Sequence, residues 1–112
     1  MISFDEPRRI HVIGVAGSVM GGISCLLKEL GHEVRGSDRD CYPPMSDRLA
    51  EAGVDVCIGF DAKNIRDHIP DVVLVGNITR RDNPEAVEMR SLGLPHLSLP
   101  ELLGQVYLTK RR

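Results

Sequence analysis

Tryptophan is absent from this sequence, and only 4% of its residues are aromatic, so its core has to be built from aliphatic side chains. An excess of one charge is lacking too. The net charge of -2 excludes a global attraction to nucleic acid or to an anionic membrane. The basic end, Lys110-Arg111-Arg112, reads as a solvated terminus. The three cysteines (Cys25, Cys41, Cys57) are odd in number, and no two stand at C-x-x-C spacing. That excludes a disulfide framework or a zinc site and fits reduced thiols in a cytoplasmic protein. Asp5 and Glu6 stand where a signal peptide needs bases, and no apolar h-region follows. The stretch from Val12 to Leu27 is apolar, but it is short, rich in glycine and followed by Lys28-Glu29, so no membrane span is expected. No repeat, low-complexity segment or linker interrupts the chain. Its 112 residues, 42% of them apolar, suffice for one domain.

The pattern that is present alternates strand and helix. Strands are expected at Arg9 to Ile13, Glu33 to Gly36 (ending at Ser37-Asp38), Val54 to Ile58, Val72 to Val75 and Pro95 to Leu97. The run Val72-Val73-Leu74-Val75 is apolar on both faces, which predicts a central place in a parallel sheet covered on both sides. Helices are expected at Val19 to Leu30, Met45 to Ala52, Ala62 to His68, Pro84 to Leu92 and from Ser98 to about Leu108. In the first, Met20, Ile23, Leu26, Leu27 and Leu30 form the apolar stripe. Gly31, Gly53 and Gly93 stop three of these helices. Asn83-Pro84 starts one as N-cap and N1, and Ser98-Leu99-Pro100-Glu101 has the form of a capping box. This succession predicts a doubly wound, Rossmann-like α/β domain: a mostly parallel five-stranded sheet with helices on both faces.

In such a sheet, ligands bind beyond the carboxyl ends of the strands. The loop there, Gly14-Val15-Ala16-Gly17-Ser18-Val19-Met20-Gly21-Gly22, lies between a strand and a helix. Gly14 allows the turn, Gly17 allows close approach of a ligand, and Gly21 and Gly22 allow the helix to pack tightly on the sheet. The helix N-terminus favours an anion by roughly 0.3–1 kcal/mol. The dinucleotide pattern G-x-G-x-x-G is broken, because Ala16 and Val19 replace its second and third glycines. Asp38, 24 residues past Gly14, nevertheless stands where that fold places an acid. A P-loop is excluded, because Gly17 to Gly22 is followed by Ile23-Ser24 and lacks its lysine.

Taken together, Ile10-His11-Val12-Ile13-Gly14, Gly17-Ser18-x-Met20-x-Gly22 and Leu30-Gly31-His32-Glu33-Val34-x-Gly36-Ser37-Asp38 resemble the N-terminal domain of the Mur ligase family, in the branches that take UDP-N-acetylmuramate. Tyr42-Pro43-Pro44-Met45-Ser46 and Gly76-Asn77 with Arg81-x-Asn83-Pro84 are similar to the branch that attaches L-alanyl-γ-D-glutamyl-meso-diaminopimelate in one step. Asp82 departs from the glycine usual in that branch, and Phe60 from the histidine of many L-alanine-adding relatives.

The resemblance implies that residues 1–112 form one UDP-sugar-binding domain, with ATP and Mg2+ handled by a central domain that this chain does not include. It implies a reaction in which the lactyl carboxylate is phosphorylated and then captured by the peptide amine. This chain would only position the nucleotide, and it would need no cofactor of its own. Backbone N–H groups from Ala16 to Met20 are expected on the diphosphate, with Ser18 adding a hydroxyl. Asp38 is expected to accept from ribose or uracil, the alternative being a turn-capping role. Ser37 and Tyr42 are placed at the pocket border, with Tyr42 open between stacking on the base and plain packing. Asn77 is read as ligand-facing, Arg81 as either a phosphate partner or a solvated charge, and Arg80 as solvated. The four histidines are read as structural. A dinucleotide-binding regulatory or oxidoreductase domain and a ligand-free interaction module are the rival readings.

Overall fold

The computed structural model describes residues 4–110, so Met1 to Ser3 and, from the basic terminus, Arg111 and Arg112 lie outside the described residues. The elements run β1 (Arg9–Ile13), α1 (Ser18–Glu29), β2 (Glu33–Asp38), α2 (Met45–Ala52), β3 (Asp55–Ile58), α3 (Lys63–Arg66), β4 (Val72–Val75), α4 (Pro84–Ser91), β5 (His96–Ser98) and α5 (Leu99–Lys110). The five strands form one sheet in the order β3-β2-β1-β4-β5, and every ladder is parallel. β1 is the middle strand. Val12 lies between Gly36 of β2 and Leu74 of β4, and Ile13 between Ser37 and Val75.

Both faces of the sheet are covered, as the continuous apolar runs require. On one face Ile10, Val12, Val34 and Leu74 pack with Leu27 of α1, Leu49 of α2 and Leu102 of α5. On the other, Ile13 and Val73 pack with Ile65 of α3 and Met89 of α4. Fully burying each of these leucines stabilises by ~2 kcal/mol. The expected caps form. Asn83 accepts from the N–H groups of Glu85 and Ala86, and Ser98 and Glu101 exchange reciprocal bonds of 2.8 and 3.3 Å.

Where helix and strand ends differ from expectation they do so by one or two residues, because hydrogen bonding decides them and apolar spacing does not. Ala62 to His68 shortens most, to the single turn Lys63–Arg66. The α1 stripe is also corrected. Leu26 and Leu30 are exposed, while Gly21 and Ser24 take inward positions beside Leu27. Ser24 is accepted there because its hydroxyl donates to the Met20 carbonyl at 2.7 Å. Gly21 packs against Met45 of α2 and not against the sheet, and Gly22 faces open space.

Gly36 is where the sheet needs a missing side chain. A Cβ there would run into the Val15 side chain and come within 2.9 Å of the Val12 carbonyl. Val15, with no exposed surface, thereby seats the β1–α1 loop on β2. Gly36→Ala should cost about 1–3 kcal/mol by overpacking. Urea unfolding checks this, and an unchanged midpoint would contradict the seating of that loop.

Candidate functional site

The β1–α1 loop is strapped to the end of β2. Gly14 turns with φ +91°, in the left-handed region that favours glycine. Its N–H and that of Val15 both donate to the Ser37 carbonyl, at 2.8 and 3.1 Å. The Ala16 N–H donates to Asp38 Oδ2 at 3.0 Å, while Asp38 Oδ1 takes the Arg39 N–H at 2.8 Å. The Gly17 N–H turns back to the Gly14 carbonyl, and the first helical bond runs from Gly21 to Gly17. The N–H groups of Ser18, Val19 and Met20 are therefore left without a helical acceptor. No side chain caps this end, and no acid stands in the first turn.

Above these amides lies a cavity of about 910 Å3, within the range of small-molecule sites. It sits where the chain reverses from the β1-β2-β3 half of the sheet to β4-β5, the switch point at which doubly wound sheets bind ligands. Four loops wall it. The first contributes Gly14, Gly17, Val19 and Met20, and the others contribute Asp38 and Arg39, then Phe60, then Gly76 through Arg80 with Asp82, Asn83 and Pro84. Its charged residues are two arginines, Arg39 and Arg80, and two acids, Asp38 and Asp82. Arg80 is shared with Asp82 at 3.4 Å on an exposed surface, so that pair holds it weakly.

Gly17 has an ordinary backbone, φ -66° and ψ 149°. A Cβ there would meet nothing closer than the Gly14 carbonyl at 3.6 Å. Nothing inside the protein requires glycine at this position, and the space beside it opens on the cavity.

Of the residues expected at the site, Gly14, Gly17, Val19, Met20, Asp38 and Asn77 come together on its wall. Others do not. Val15 is core, and the Ala16 N–H is already taken by Asp38. Asp38 thus has the turn-capping role weighed against ligand contact, although it still borders the cavity. The Ser18 side chain is exposed but off the wall, and Tyr42 is 70% exposed and away from it. Arg81 lines a smaller neighbouring cavity, and its carbonyl accepts from Arg90 at 2.6 Å, so the wall arginine is Arg80. Ser37 faces inward, fully buried. The histidines divide. His11 and His32 are buried, whereas His68 and His96 are exposed. Burial, reinforced by the charge of Arg8, lowers the pKa of His32.

The partner of Ser37 was not visible in the sequence. Glu85, at the second position of α4, has no exposed surface. Its Oε1 accepts from His11 Nε2 at 2.7 Å and from the Ser37 hydroxyl at 2.5 Å. Its Oε2 accepts from Asn64 Nδ2 at 2.7 Å and from the Asp61 N–H at 3.2 Å. The one signal available was a polar residue at buried strand positions, His11 in β1 and Ser37 in β2. Serine, histidine and glutamate together suggest a nucleophilic triad, but Ser37 and His11 both donate to one carboxylate oxygen and Ser37 is sealed from solvent, so this is a structural cluster.

Burial works to raise the Glu85 pKa, yet the hydrogen bonds from His11, Ser37 and Asn64 outweigh it and hold the carboxyl below the ordinary value of 4.5. A depressed carboxyl contributes stability that is present above its unfolded pKa and is lost as pH falls through the folded one. The wild type should therefore lose stability progressively below about pH 4.5. Glu85→Gln should flatten that part of the curve, as read by urea unfolding from pH 7 to 2.5. A parallel loss in both proteins would contradict the assignment.

Among the described residues no group of three or more His, Cys, Asp or Glu is placed to hold a metal. No helix among them is long and apolar enough to cross a membrane. All three thiols are free.

A parallel sheet with a glycine turn, free helix-terminal amides and a switch-point cavity defines a nucleotide-type α/β binding domain. The pattern described as "Mur ligase family, catalytic domain" matches residues 9–111, and the chain belongs to the Mur ligase family. It is 40% identical over 103 residues to the UDP-N-acetylmuramate–L-alanyl-gamma-D-glutamyl-meso-2,6-diaminoheptandioate ligase of Escherichia coli (strain K12), which covers 92% of this chain and 22% of that protein. It is 36% identical to the UDP-N-acetylmuramate–L-alanine ligase of a Sulfurihydrogenibium species, over 90% of this chain and 22% of that protein. The crystal structure of the UDP-N-acetylmuramate:L-alanyl-gamma-D-glutamyl-meso-diaminopimelate ligase from Neisseria meningitides superposes with a TM-score of 0.80 at 42% identity, over 88% of this chain and 30% of that one. The chain thus spans about a fifth of the length of the curated relatives it matches.

Proposed function

We propose that this chain is the UDP-N-acetylmuramate-binding domain of an ATP-dependent amide ligase of peptidoglycan synthesis or recycling, acting in the cytoplasm. The observation that carries the reading is the set of free amides at Ser18, Val19 and Met20, beside a glycine that leaves room for a close ligand. The diphosphate sits on these amides, with Arg39 and Arg80 adding charge. Asn77 is the polar contact from the β4 side. The names of the relatives support UDP-N-acetylmuramate as the ligand. The higher identities, 40% and 42%, fall on ligases that attach L-alanyl-γ-D-glutamyl-meso-diaminopimelate, so that tripeptide is the proposed second substrate of the whole enzyme.

The residues present do not fit ATP. No lysine follows the glycines and no acid cluster stands ready for Mg2+ among the described residues. ATP and Mg2+ are assigned to a further domain of the proposed parent enzyme. This domain's share is binding and orientation, which lowers the barrier by fixing the reacting carboxylate in place.

Asn77 is exposed, and its side chain makes no hydrogen bond among the described residues. Asn77→Ala should therefore raise the Kd for UDP-N-acetylmuramate about tenfold, the loss of one hydrogen bond, at unchanged thermal stability. Titration calorimetry checks the first expectation and thermal unfolding the second. Unchanged affinity would remove Asn77 from the site.

A further inference from the structure

We propose that Glu85 is the positioning residue of this site, its buried carboxylate tying together the undersides of three of the loops that wall the cavity. The inference rests on the reading of the cavity as a UDP-sugar site. From β2, Ser37 gives its hydroxyl to Glu85 and its carbonyl to the N–H groups of Gly14 and Val15, so the phosphate loop hangs from the same residue. From beyond β3, Asp61 gives its N–H to Glu85, next to the wall residue Phe60. Asn64 of α3 bonds both Glu85 and the Gly59 carbonyl, closing that loop on itself. Glu85 itself follows Asn83 and Pro84, the wall residues that end the β4–α4 loop. His11 in the middle strand anchors the assembly to the sheet.

The four hydrogen bonds on the carboxylate come from three segments, β1, β2 and the β3–α3 stretch, and no apolar residue could make those ties. A core built only for stability is satisfied by packing, as the Ile13, Ile65, Val73 and Met89 cluster on the same face shows. The carboxylate touches no cavity space, so it acts on the ligand through the loops it spaces.

Amide hydrogen exchange on the free protein tests this, with Glu85→Gln and Ser37→Ala compared to wild type under conditions where all are folded. In Glu85→Gln, two of the four donors lose a carboxylate oxygen. Either the Gly14 and Val15 amides or the Asp61 amide, according to which oxygen the amide nitrogen replaces, should exchange at least tenfold faster, beyond any change at Val73 and Val54, whose bonds to Pro95 and Leu49 lie outside the cluster. In Ser37→Ala, Gly14 and Val15 should accelerate and Asp61 should not. Glu85→Gln should also raise the Kd for UDP-N-acetylmuramate at least tenfold. One common factor at every amide, or no change at the three loop amides, would overturn the proposal. So would unchanged affinity of Glu85→Gln when the wild type binds. A wild type that does not bind the UDP-sugar removes the ligand reading alone, and the exchange pattern then still decides whether Glu85 spaces the loops.

Discussion

Gly17→Asp is expected to keep the domain as stable as the wild type, or slightly more so, while weakening UDP-N-acetylmuramate by on the order of 100-fold or more. The two effects come from one position. Gly17 is the N-cap of α1, with the extended backbone an N-cap adopts and no side chain to satisfy the amides behind it. Its φ of -66° suits any residue, and a Cβ finds only ordinary contacts. Aspartate there accepts from the free first-turn N–H groups and gains a few tenths of a kcal/mol over glycine. The same carboxylate occupies the anion seat. Against a diphosphate about 4 Å away, the repulsion is about 4 kcal/mol at an effective dielectric of 20. Thermal unfolding and titration calorimetry on one preparation read both effects. Loss of stability would show that the loop is tighter than its geometry implies. Retained affinity would place the anion elsewhere.

Glu85→Ala should be the most damaging single change to the fold, at about 3–5 kcal/mol. It leaves His11 Nε2, the Ser37 hydroxyl, Asn64 Nδ2 and the Asp61 N–H without their acceptor, the first two of them on fully buried residues. Each buried unsatisfied group costs about 1–3 kcal/mol, less whatever local relaxation recovers. Against the 5–15 kcal/mol typical of a whole domain, this should lower the Tm by more than about 12 °C. Differential scanning calorimetry measures it. A loss under about 1 kcal/mol would mean that the cluster is looser than its distances imply.

The fold was legible because its signals are local. The apolar runs at Ile10-His11-Val12-Ile13 and Val72-Val73-Leu74-Val75 became the inner strands β1 and β4, and Asn83 and Ser98 capped the helices that they announced. The site was legible in part. The glycine loop, Asp38 and Asn77 lie where a switch-point ligand would be, because strand order brings those loop starts together. Side-chain direction was harder. Spacing alone gave Ser37 to the pocket, but as the neighbour of Ile13 in the ladder it faces the α3–α4 layer. Arg80 and Arg81 are adjacent in a loop without a period, so nothing in the sequence said which one would face the cavity. Glu85 was hidden because a glutamate in the first turn of a helix has an ordinary explanation in the helix dipole. Only the fold brings His11, 74 positions away, against it.

The most direct test is titration calorimetry of this chain against UDP-N-acetylmuramate, with UDP, NAD and NADP as comparators. Saturable binding of the UDP-sugar, with weaker binding of UDP and no heat from either dinucleotide, is the predicted result. Binding of NAD or NADP in its place would contradict the account and return the glycine loop to the dinucleotide reading.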